Sequence, residues 1–356
     1  MSEQRAGRTF DRVAVLGIGN VGSVAADLLR EDGFEVVAAD AIPPNEAVEA
    51  FDADDRAAVE SLLRRVDAVV SCLPFKLNAQ IARTAANLGV HYLDLTEDRA
   101  TSDAIRAIAG AARAALIPHC GSAPGFVCCV ASALARNLDR ADRVALRAGA
   151  LPQSPNGAFG YAFNWSPAGL VNLYIHECEV LRGGKRTIVS ALSETERIVL
   201  DGTAYEAFAT AGGLGTMCET FEGSVARLDY KTIRYEGHCD LARFFFQDLG
   251  MDEHPEQAEE ILLRSYPPVH DDTLLLYVAA EGQRDGRSVR DEFVRTYRPQ
   301  EIAGQQRSAV TWVTAAGVVS VLQLLASGLL PARGLVLQED IPMDALLQTP
   351  AGTLLA

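Results

Sequence analysis

In the first third of the chain, short apolar runs alternate with longer stretches in which apolar residues recur at helical spacing. The short runs have the length of buried strands and the longer stretches that of helices. We predict strands at 13–16, 35–39, 68–72, 90–95 and 116–119. The predicted helices lie at 24–30, 55–65, 78–88 and 102–115. Strands that alternate with helices in this way predict an α/β fold with a Rossmann-type doubly wound parallel sheet.

A glycine-rich turn follows the first predicted strand, with the spacing G-x-G-x-x-G. In such a turn one glycine permits the tight bend, one lets a pyrophosphate approach the backbone, and one lets helix and strand pack closely. The N–H groups at the start of the following helix then face the phosphates. We therefore predict a dinucleotide site whose phosphate-binding residues are Gly17, Ile18, Gly19, Asn20, Val21 and Gly22.

An acidic residue ends the second predicted strand. Asp40 follows the glycines by about 20 residues, the distance at which a carboxylate accepts hydrogen bonds from the adenosine ribose. No arginine or lysine lies between Asp40 and Arg56, so a 2′-phosphate would meet only negative charge. The pattern favours NAD over NADP, with Asp40 and Ala41 at the adenosine end.

Three further strand ends are candidates for ligand contacts, because ligands of such sheets bind beyond the carboxyl ends of the strands. They read SCLPFK at 71–76, DLTED at 94–98 and HCGSAPGF at 119–126. In the last, Pro124 and Gly125 precede a predicted helix, so we expect its free N–H groups to face the nicotinamide or a substrate carboxylate. The cofactor-binding residues predicted here are Ser71, Cys72, Leu73, Pro74, Asp94, Leu95, Pro124 and Gly125.

The pattern changes in the middle of the chain, where alternating strands are predicted at 143–149, 187–190, 226–235, 273–280 and 288–296. They indicate a largely antiparallel sheet with flanking helices, the usual form of a substrate-binding α+β domain. The apolar stretch 309–330 contains polar residues and glycines, so we predict a buried helix and not a membrane span. The predicted division is a NAD-binding domain at 1–125, a substrate and dimerisation domain at 126–304, and a tail at 305–356 that returns to the NAD-binding domain.

Composition and charge narrow the class of protein. The chain has 356 residues, of which 49% are hydrophobic, enough for two domains with sizeable cores. A net charge of −15 argues against nucleic-acid or anionic-membrane partners, which need clustered positive charge. The polar N-terminus lacks the apolar region of a signal peptide, and the seven cysteines include no C-x-x-C. We therefore predict a cytoplasmic protein with reduced thiols.

The histidine-containing segments HECE at 176–179 and HCD at 238–240 match neither H-E-x-x-H nor a closed Cys/His set. No metal site is predicted.

Six segments, in this order, resemble those of the saccharopine dehydrogenase-like family, and within it those of bacterial L-lysine 6-dehydrogenases. They are GIGNVG, SCLPF, the DL of Asp94–Leu95, GSAPG, FATAGGLGT at 208–216 and DYKTIRYEGH at 229–238. The resemblance implies a homodimer, substrate contacts at Thr210 and Gly213, and NAD-dependent oxidative deamination of the ε-amino group of L-lysine. The product would be 2-aminoadipate 6-semialdehyde, which cyclises to Δ1-piperideine-6-carboxylate. This chain has DLTED where the family has a DLGGH-like loop, so a similar basic amino acid is an alternative substrate.

Hydride removal from a carbon that bears an amine requires a base, because the ammonium must first lose a proton. Asp94, Glu97 and Asp98 are the predicted catalytic candidates, and His119 ranks below them. A carboxylate cluster would also attract a cationic substrate end.

The DYKTIRYEGH segment supplies the cation that an amino-acid carboxylate needs. On a strand, Tyr230 shares a face with Thr232 and Arg234, whereas Lys231 shares the opposite face with Tyr235. Arg234 offers a bidentate fork for the α-carboxylate and is the main predicted contact. The substrate-binding residues predicted in this segment are Arg234, Tyr230, Lys231 and Tyr235. The alternative is that Arg234 and Lys231 are surface residues or ion-pair residues of a sheet.

Two other functions stay open. A saccharopine-type or carboxynorspermidine-type dehydrogenase or reductase would act on a secondary amine, and would need cations for a second carboxylate. A non-catalytic, NAD-binding regulatory protein would use the same fold without turnover.

Overall fold

The computed structural model describes residues 7–356. Residues 1–6, on which part of the signal-peptide prediction rests, lie outside the described residues. The helices are α1 (Asn20–Glu31), α2 (Arg56–Leu63), α3 (Phe75–Leu88), α4 (Arg99–Ala109), α5 (Phe126–Arg136), α6 (Pro167–Ile175), α7 (Met217–Phe221), α8 (His238–Arg243), α9 (Pro255–Ser265), α10 (Ala309–Ala326) and α11 (Met343–Gln348). The strands are β1 (Arg12–Leu16), β2 (Glu35–Asp40), β3 (Glu49–Ala50), β4 (Ala68–Ser71), β5 (His91–Asp94), β6 (Ala115–Ile117), β7 (Arg140–Pro152), β8 (Cys178–Arg182), β9 (Lys185–Val189), β10 (Glu196–Leu200), β11 (Thr203–Ala209), β12 (Arg227–Tyr235), β13 (Asp272–Arg284), β14 (Arg287–Tyr297), β15 (Gln300–Ile302), β16 (Gln305–Arg307) and β17 (Gly334–Leu335).

The chain divides into two compact units. The first unit contains residues up to 129 together with 301–305 and 311–356. The second unit contains residues 130–300 and 306–310.

The first unit is built on a seven-stranded sheet in the order β17-β6-β5-β4-β1-β2-β3. All its strand pairs are parallel, which confirms the predicted doubly wound sheet. The central strands β1 and β4 are buried along almost their whole length, as expected for a parallel sheet that helices cover on both faces. The two-residue edge strands β3 and β17 are too short to leave a periodic pattern in the sequence.

One helix of this unit is shorter than its apolar pattern predicts. Helix α4 ends at Ala109, although the predicted helix runs to residue 115. Gly110 takes the position after the last helical residue, and a glycine costs a helix about 1 kcal/mol relative to alanine. The residues that follow it lead directly into β6.

The second unit contains an eight-stranded sheet with the main order β10-β11-β12-β7-β13-β14, to which β8 and β9 are added beside β12. The sheet is mostly antiparallel, as predicted, but β12 and β7 run parallel. Strands β8, β10 and β11 were not predicted. The predicted strand at 226–235 corresponds to β12, which lies between β11 and β7 in the main order and is buried at seven consecutive positions. Residues 229–235 of the DYKTIRYEGH segment therefore lie on a core strand and not on a basic surface strand.

The long apolar stretch forms helix α10, with 18 residues and a mean hydropathy of 1.8. Its length and composition alone would suffice for a membrane span, but 94% of it is buried inside the protein. The helix starts on a buried carboxylate, because Asp272 accepts hydrogen bonds from the N–H groups of Ala309 at 2.5 Å and Val310 at 3.0 Å. The prediction of a buried helix agrees with this structure.

Candidate cofactor and substrate sites

The glycine turn between β1 and α1 has the geometry that a dinucleotide site requires. Gly17 has a φ of +85°, in the left-handed region. A Cβ added to Gly22 would overlap the carbonyl oxygen of Gly17, so this glycine is needed for close packing. Next to Gly19, in contrast, no atom of residues 7–356 lies within 4 Å of an added Cβ. Gly19 also caps α1 without a side-chain hydrogen bond from the described residues, which leaves the helix start open to a phosphate.

Asp40 joins the end of β2 to this turn. Its Oδ2 accepts a hydrogen bond from the N–H of Ile18 at 2.6 Å, and its Oδ1 accepts one from the N–H of Ile42 at 2.9 Å. The carboxylate keeps further lone pairs for ribose hydroxyl groups. Ala41 is exposed beside it.

The end of β4 forms the floor of the turn. The carbonyl oxygen of Cys72 and a methyl group of Leu73 lie 2.9 and 3.2 Å from a Cβ added to Gly17. Ser71 donates a buried hydrogen bond to Oδ1 of Asn78 at 2.7 Å, and Pro74 stands at the N-cap of α3. Burial raises the pKa of the Cys72 thiol to about 12, so it is not a nucleophile at neutral pH.

The Asp94 carboxyl at the end of β5 is fully buried, with an exposed fraction of 0%. It accepts hydrogen bonds from the Tyr92 hydroxyl at 2.7 Å, the Thr96 N–H at 3.0 Å and the His119 N–H at 3.1 Å. Burial raises its pKa, although the nearby His119 and these donors act in the opposite direction. The structure therefore corrects the prediction of Asp94 as the base, because a carboxyl enclosed in this way holds two loops together and does not meet a substrate. The adjacent predicted residue, Leu95, continues this loop.

The two other acids of the DLTED segment differ from each other. Asp98 is the N-cap of α4 and accepts a hydrogen bond from the N–H of Thr101 at 2.7 Å, which gives it a structural role in place of the predicted catalytic one. Burial raises the pKa of Glu97 to about 7, and the charges of Asp94 and Asp98 add to this shift. A carboxyl group with that pKa can take up a proton near neutral pH. Glu97 is therefore the base candidate in this segment.

In the GSAPG segment, the N–H groups at the start of α5 donate to carbonyl groups of the same turn. The N–H of Phe126 donates to the carbonyl oxygen of Gly121 at 2.9 Å, and that of Val127 donates to Ser122 at 3.0 Å. The prediction that these N–H groups face a ligand is wrong, because the turn that contains Pro124 supplies their acceptors. Gly125 has a φ of +132°, and a Cβ there would lie 2.5 Å from the carbonyl oxygen of His119. It therefore serves the fold of the turn.

In the second unit, Arg234 lies on β12 with an exposed fraction of only 2%. Its Nε donates to the Tyr174 hydroxyl at 2.9 Å and its Nη1 to the carbonyl oxygen of Ile233 at 2.8 Å. The guanidinium carbon lies 4.9 Å from the centre of the Tyr161 ring, within the range of a cation–π interaction. Among residues 7–356, no carboxylate pairs with it; burial acts to lower its pKa, but contacts with tyrosines, Tyr174 foremost, raise the pKa overall. A buried cation of this kind needs an anion, so Arg234 is a candidate anion-binding residue.

A directed chain of hydrogen bonds supports Arg234. His238 contacts the carbonyl oxygen of Phe159 through Nδ1 at 2.8 Å, and the Tyr174 hydroxyl through Nε2 at 2.9 Å. Burial and the Arg234 charge lower the pKa of His238 to about 3, so the ring is neutral. Because a carbonyl only accepts, Nδ1 carries the proton and Nε2 accepts from Tyr174. The Tyr174 oxygen is then free to accept from Arg234.

The residues on the Arg234 face of β12 lie with the loop that follows β11. The hydroxyl groups of Thr210 and Thr232 are 2.6 Å apart. Gly213 packs against the ring of Tyr230 so closely that a Cβ would overlap it. The structure thus brings four of the predicted substrate residues to one face, and adds Tyr174 and Tyr161, which the sequence analysis missed. The aromatic-rich stretch 159–175 was the available signal.

Lys231 and Tyr235 lie on the opposite face, and the prediction of substrate contacts from them needs correction. The Lys231 ammonium pairs with Glu196 at 2.9 Å and donates to the carbonyl oxygen of Glu194 at 2.6 Å. Arg147 on β7 pairs with the same Glu196 at 2.5 Å. The Tyr235 hydroxyl donates to a backbone carbonyl at 2.8 Å. The ion-pair alternative is therefore correct for Lys231, whereas Arg234 stays unpaired with any described carboxylate.

Within residues 7–356, no group of three or more His, Cys, Asp or Glu side chains is placed to hold a metal ion. All seven cysteines are free, and six of them are buried.

A dinucleotide turn on a doubly wound parallel sheet, followed by a second sheet unit, is the organisation of a nicotinamide-dependent dehydrogenase. Two family models agree with this class. The saccharopine dehydrogenase NADP binding domain matches residues 13–117, and the saccharopine dehydrogenase C-terminal domain matches residues 121–354. The chain belongs to the saccharopine dehydrogenase family of oxidoreductases.

Solved structures share the fold over nearly the whole chain. Apo saccharopine dehydrogenase (L-Glu forming) from Saccharomyces cerevisiae superposes with a TM-score of 0.74 at 14% identity, over 95% of this chain and 96% of that one. The C. glutamicum DAP dehydrogenase in complex with DAP gives 0.51 at 12% identity, with 98% of each chain covered. An engineered D-amino acid dehydrogenase bound to NADP+ gives 0.50 at 12% identity, over 98% of this chain and 99% of that one. At such identities the likeness defines the fold.

The two glycines of the turn are expected to respond differently to alanine. Gly22→Ala introduces a Cβ that overlaps the Gly17 carbonyl, so we expect a lower melting temperature together with lost NAD+ binding. Gly19→Ala meets no described atom within 4 Å, so the melting temperature should be unchanged. Its methyl group would still occupy the space of the pyrophosphate and raise the Kd for NAD+ by about 10-fold. Calorimetric titration and thermal melts measure both effects, and a Gly19→Ala variant that binds NAD+ normally would contradict the assigned phosphate position.

Proposed function

We propose that this protein is an NAD-dependent dehydrogenase that oxidatively deaminates the ε-amino group of L-lysine or of a similar basic amino acid. The product is 2-aminoadipate 6-semialdehyde, which cyclises to Δ1-piperideine-6-carboxylate. The observation that carries the proposal is Arg234, which is buried, held by Tyr174 and without a carboxylate partner among the described residues.

The α-carboxylate of an amino acid is the anion that this arginine fits best. A guanidinium binds a carboxylate through two parallel N–H groups, and Nε and Nη1 of Arg234 are already occupied by Tyr174 and the backbone. The remaining donors are therefore those that a ligand would meet. The hydroxyl group of Thr232 lies on the same face of β12 and offers a further polar contact.

The choice of NAD rests on Asp40. The N–H groups of Ile18 and Ile42 hold its carboxylate at the end of β2 beside the phosphate turn. At that place a carboxylate accepts from both ribose hydroxyls but repels a 2′-phosphate. The family model that covers this region is described as NADP-binding, so this acid is the feature that favours NAD in this chain.

The chemistry divides between the cofactor and the protein. When bound, the nicotinamide accepts a hydride from the carbon that bears the amine. Glu97 takes the proton that the substrate ammonium must lose before its lone pair can form the iminium. Water then hydrolyses the iminium to the aldehyde and ammonium. A lysine ammonium has a pKa of about 10.4, so alkaline conditions favour the reaction, because they keep Glu97, of pKa about 7, deprotonated and increase the fraction of neutral amine.

The secondary-amine alternative meets an obstacle in the second unit. A saccharopine-type substrate carries additional carboxylates, which need additional cations. The other buried basic side chains that the structure describes there, Arg147 and Lys231, already pair with Glu196. A substrate with one carboxylate is therefore favoured.

We also propose that the protein is a cytoplasmic homodimer whose partner is a small amino-acid substrate, with neither nucleic acid nor membrane bound. The strongly acidic composition supports the part of this proposal that concerns nucleic acid and anionic membranes, which attract basic surfaces. Sedimentation velocity measures the oligomeric state, and a monomer at micromolar concentration would contradict the homodimer.

The direct test is to incubate the purified protein with NAD+ and L-lysine at alkaline pH, to follow NADH absorbance, and to trap a cyclic imine with o-aminobenzaldehyde. NADH together with the adduct is the expected result. Activity with saccharopine but not with lysine would establish the secondary-amine function instead. Binding of NAD+ without turnover across a broad amine panel would establish the regulatory alternative.

Removal of the Arg234 guanidinium should abolish recognition of the α-carboxylate. For Arg234→Ala we expect the KM for lysine to rise about 100-fold, because a buried charge pair that loses one partner costs several kcal/mol. Wild-type enzyme should discriminate strongly against cadaverine, which is lysine without its carboxylate, and the variant should not.

The matched control is Arg197→Ala, since Arg197 is an exposed arginine paired with exposed Glu236. Its KM and the Kd of both variants for NAD+ should equal the wild-type values. An Arg234→Ala enzyme that keeps its lysine KM would refute the carboxylate assignment.

The pH dependence should follow Glu97. Below its pKa of about 7 the carboxyl is protonated and cannot accept a proton, so kcat/KM for lysine should rise as the pH passes upward through that value. Glu97→Gln should remove this limb and lower kcat by about 100-fold or more, with NAD+ binding intact. Asp103→Asn, at an exposed carboxylate of α4, is the control.

The stability of the same variant gives a second readout. A carboxyl whose pKa is raised from 4.5 to about 7 by folding contributes stability below its unfolded value, and this contribution is lost as the pH rises through about 7. At pH 8, Glu97→Gln should therefore melt at or above the wild-type temperature. A Gln variant that keeps the wild-type pH profile would assign the base to another group.

A further inference from the structure

Among the described loops that follow the strands of the first unit, His119 alone has a buried side chain with a polar atom that lacks a hydrogen-bond partner. Its exposed fraction is 4%, and its backbone has a φ of +66°, in the left-handed region that few non-glycine residues adopt. Its N–H donates to Asp94 Oδ1 at 3.1 Å, and the N–H of the next residue, Cys120, donates to the Asp94 carbonyl oxygen at 2.7 Å. The unusual backbone is thus fixed by a buried carboxyl.

The hydrogen bond of the His119 ring determines which ring nitrogen carries the proton. Nδ1 of His119 lies 2.7 Å from the carbonyl oxygen of Thr96. A carbonyl only accepts, so Nδ1 is the donor, and the neutral imidazole with this tautomer has its lone pair on Nε2. Within the part of the chain that the structure describes, Nε2 has no hydrogen-bond partner. A buried polar atom without a partner is unfavourable, which indicates a place for a ligand donor.

The sheet order locates this lone pair relative to the dinucleotide. Asp40 marks the ribose position on β2, and the phosphate turn follows β1. The other half of the cofactor must then extend over the strands on the far side of β1, which are β4 and β5. The end of β5 is two strand spacings from β1, about 10 Å. His119 is bonded to Asp94 and Thr96, at the end of β5 and just beyond it, so its ring lies where the nicotinamide half reaches.

We propose that Nε2 of His119 accepts a hydrogen bond from the carboxamide NH2 group of the nicotinamide and so fixes the orientation of that ring. An uncharged nitrogen acceptor suits the uncharged amide N–H of the nicotinamide. The Glu97 carboxyl, one residue after Thr96, suits the cationic amine of the substrate. The inference rests on the nicotinamide cofactor of the proposed function, and does not depend on lysine as the substrate.

The test is a set of calorimetric titrations with NAD+, with ADP-ribose, which lacks the nicotinamide, and with nicotinic acid adenine dinucleotide, whose carboxylate has no N–H to donate. Wild-type protein should bind the nicotinic acid form about 10-fold more weakly than NAD+. In His119→Phe the Kd for NAD+ should rise about 10-fold, the Kd for ADP-ribose should stay unchanged, and the preference for the amide should disappear.

Two further variants keep the test decisive. His119→Asn is a second variant, because asparagine tolerates the left-handed backbone. If His119→Phe folds poorly, His119→Asn should still show the binding changes expected above. His91→Phe is the matched control at the opposite end of β5 and should keep wild-type ratios among the three ligands.

An equal loss of NAD+ and ADP-ribose binding in both His119 variants would overturn the proposal, because it would assign His119 a purely structural role. An unchanged preference for the amide would overturn it as well. These binding results are independent of turnover, so a failure of the lysine proposal would appear only in the activity assay.

Discussion

The buried carboxyl of Asp94 is the interaction on which the first unit's candidate site depends. It joins Tyr92 on β5, the backbone of Thr96 and the backbone of His119, so that the loops after β5 and β6 form one hydrogen-bonded body. The position of Glu97, one residue beyond Thr96, follows from this anchor. Three donors offset the desolvation of this carboxyl, and loss of the Tyr92 hydroxyl would remove the donor to its Oδ2.

Strand β12 shows how the same physical requirement separates structural from ligand-binding charges. On one face Lys231 and the neighbouring Arg147 share the Glu196 carboxylate, and Arg147 also pairs with Asp229 at 2.7 Å, so the two cations meet two carboxylates within the fold. On the other face Arg234 donates to the Tyr174 hydroxyl and lies over the Tyr161 ring. These contacts orient the guanidinium but do not neutralise its charge. Because burial of a cation must be compensated somewhere, the proposed function places the substrate anion on the uncompensated face.

The two glycine-containing helix starts of the first unit illustrate the same contrast in the backbone. The start of α1 is left open beside Gly19, as phosphate binding requires. The start of α5 is closed by the carbonyl groups of its own turn, which Gly125 makes possible. The sequence suggests a ligand-binding helix start at both places. Among the described residues, however, only the first of the two, the start of α1, has unpaired N–H groups for a ligand.

The amino-acid sequence by itself determined the parallel sheet, the phosphate turn, the position of Asp40 and the buried helix α10. These features arise from local periodicity, glycine spacing and strand-end position, which neighbouring residues encode. The tertiary structure alone decided that Lys231 pairs with Glu196, that Arg234 donates a hydrogen bond to Tyr174, and that the Asp94 carboxyl is fully buried. Those partners are brought together by strand pairing and packing between distant segments, and charge compensation in the interior depends on that packing and not on local sequence.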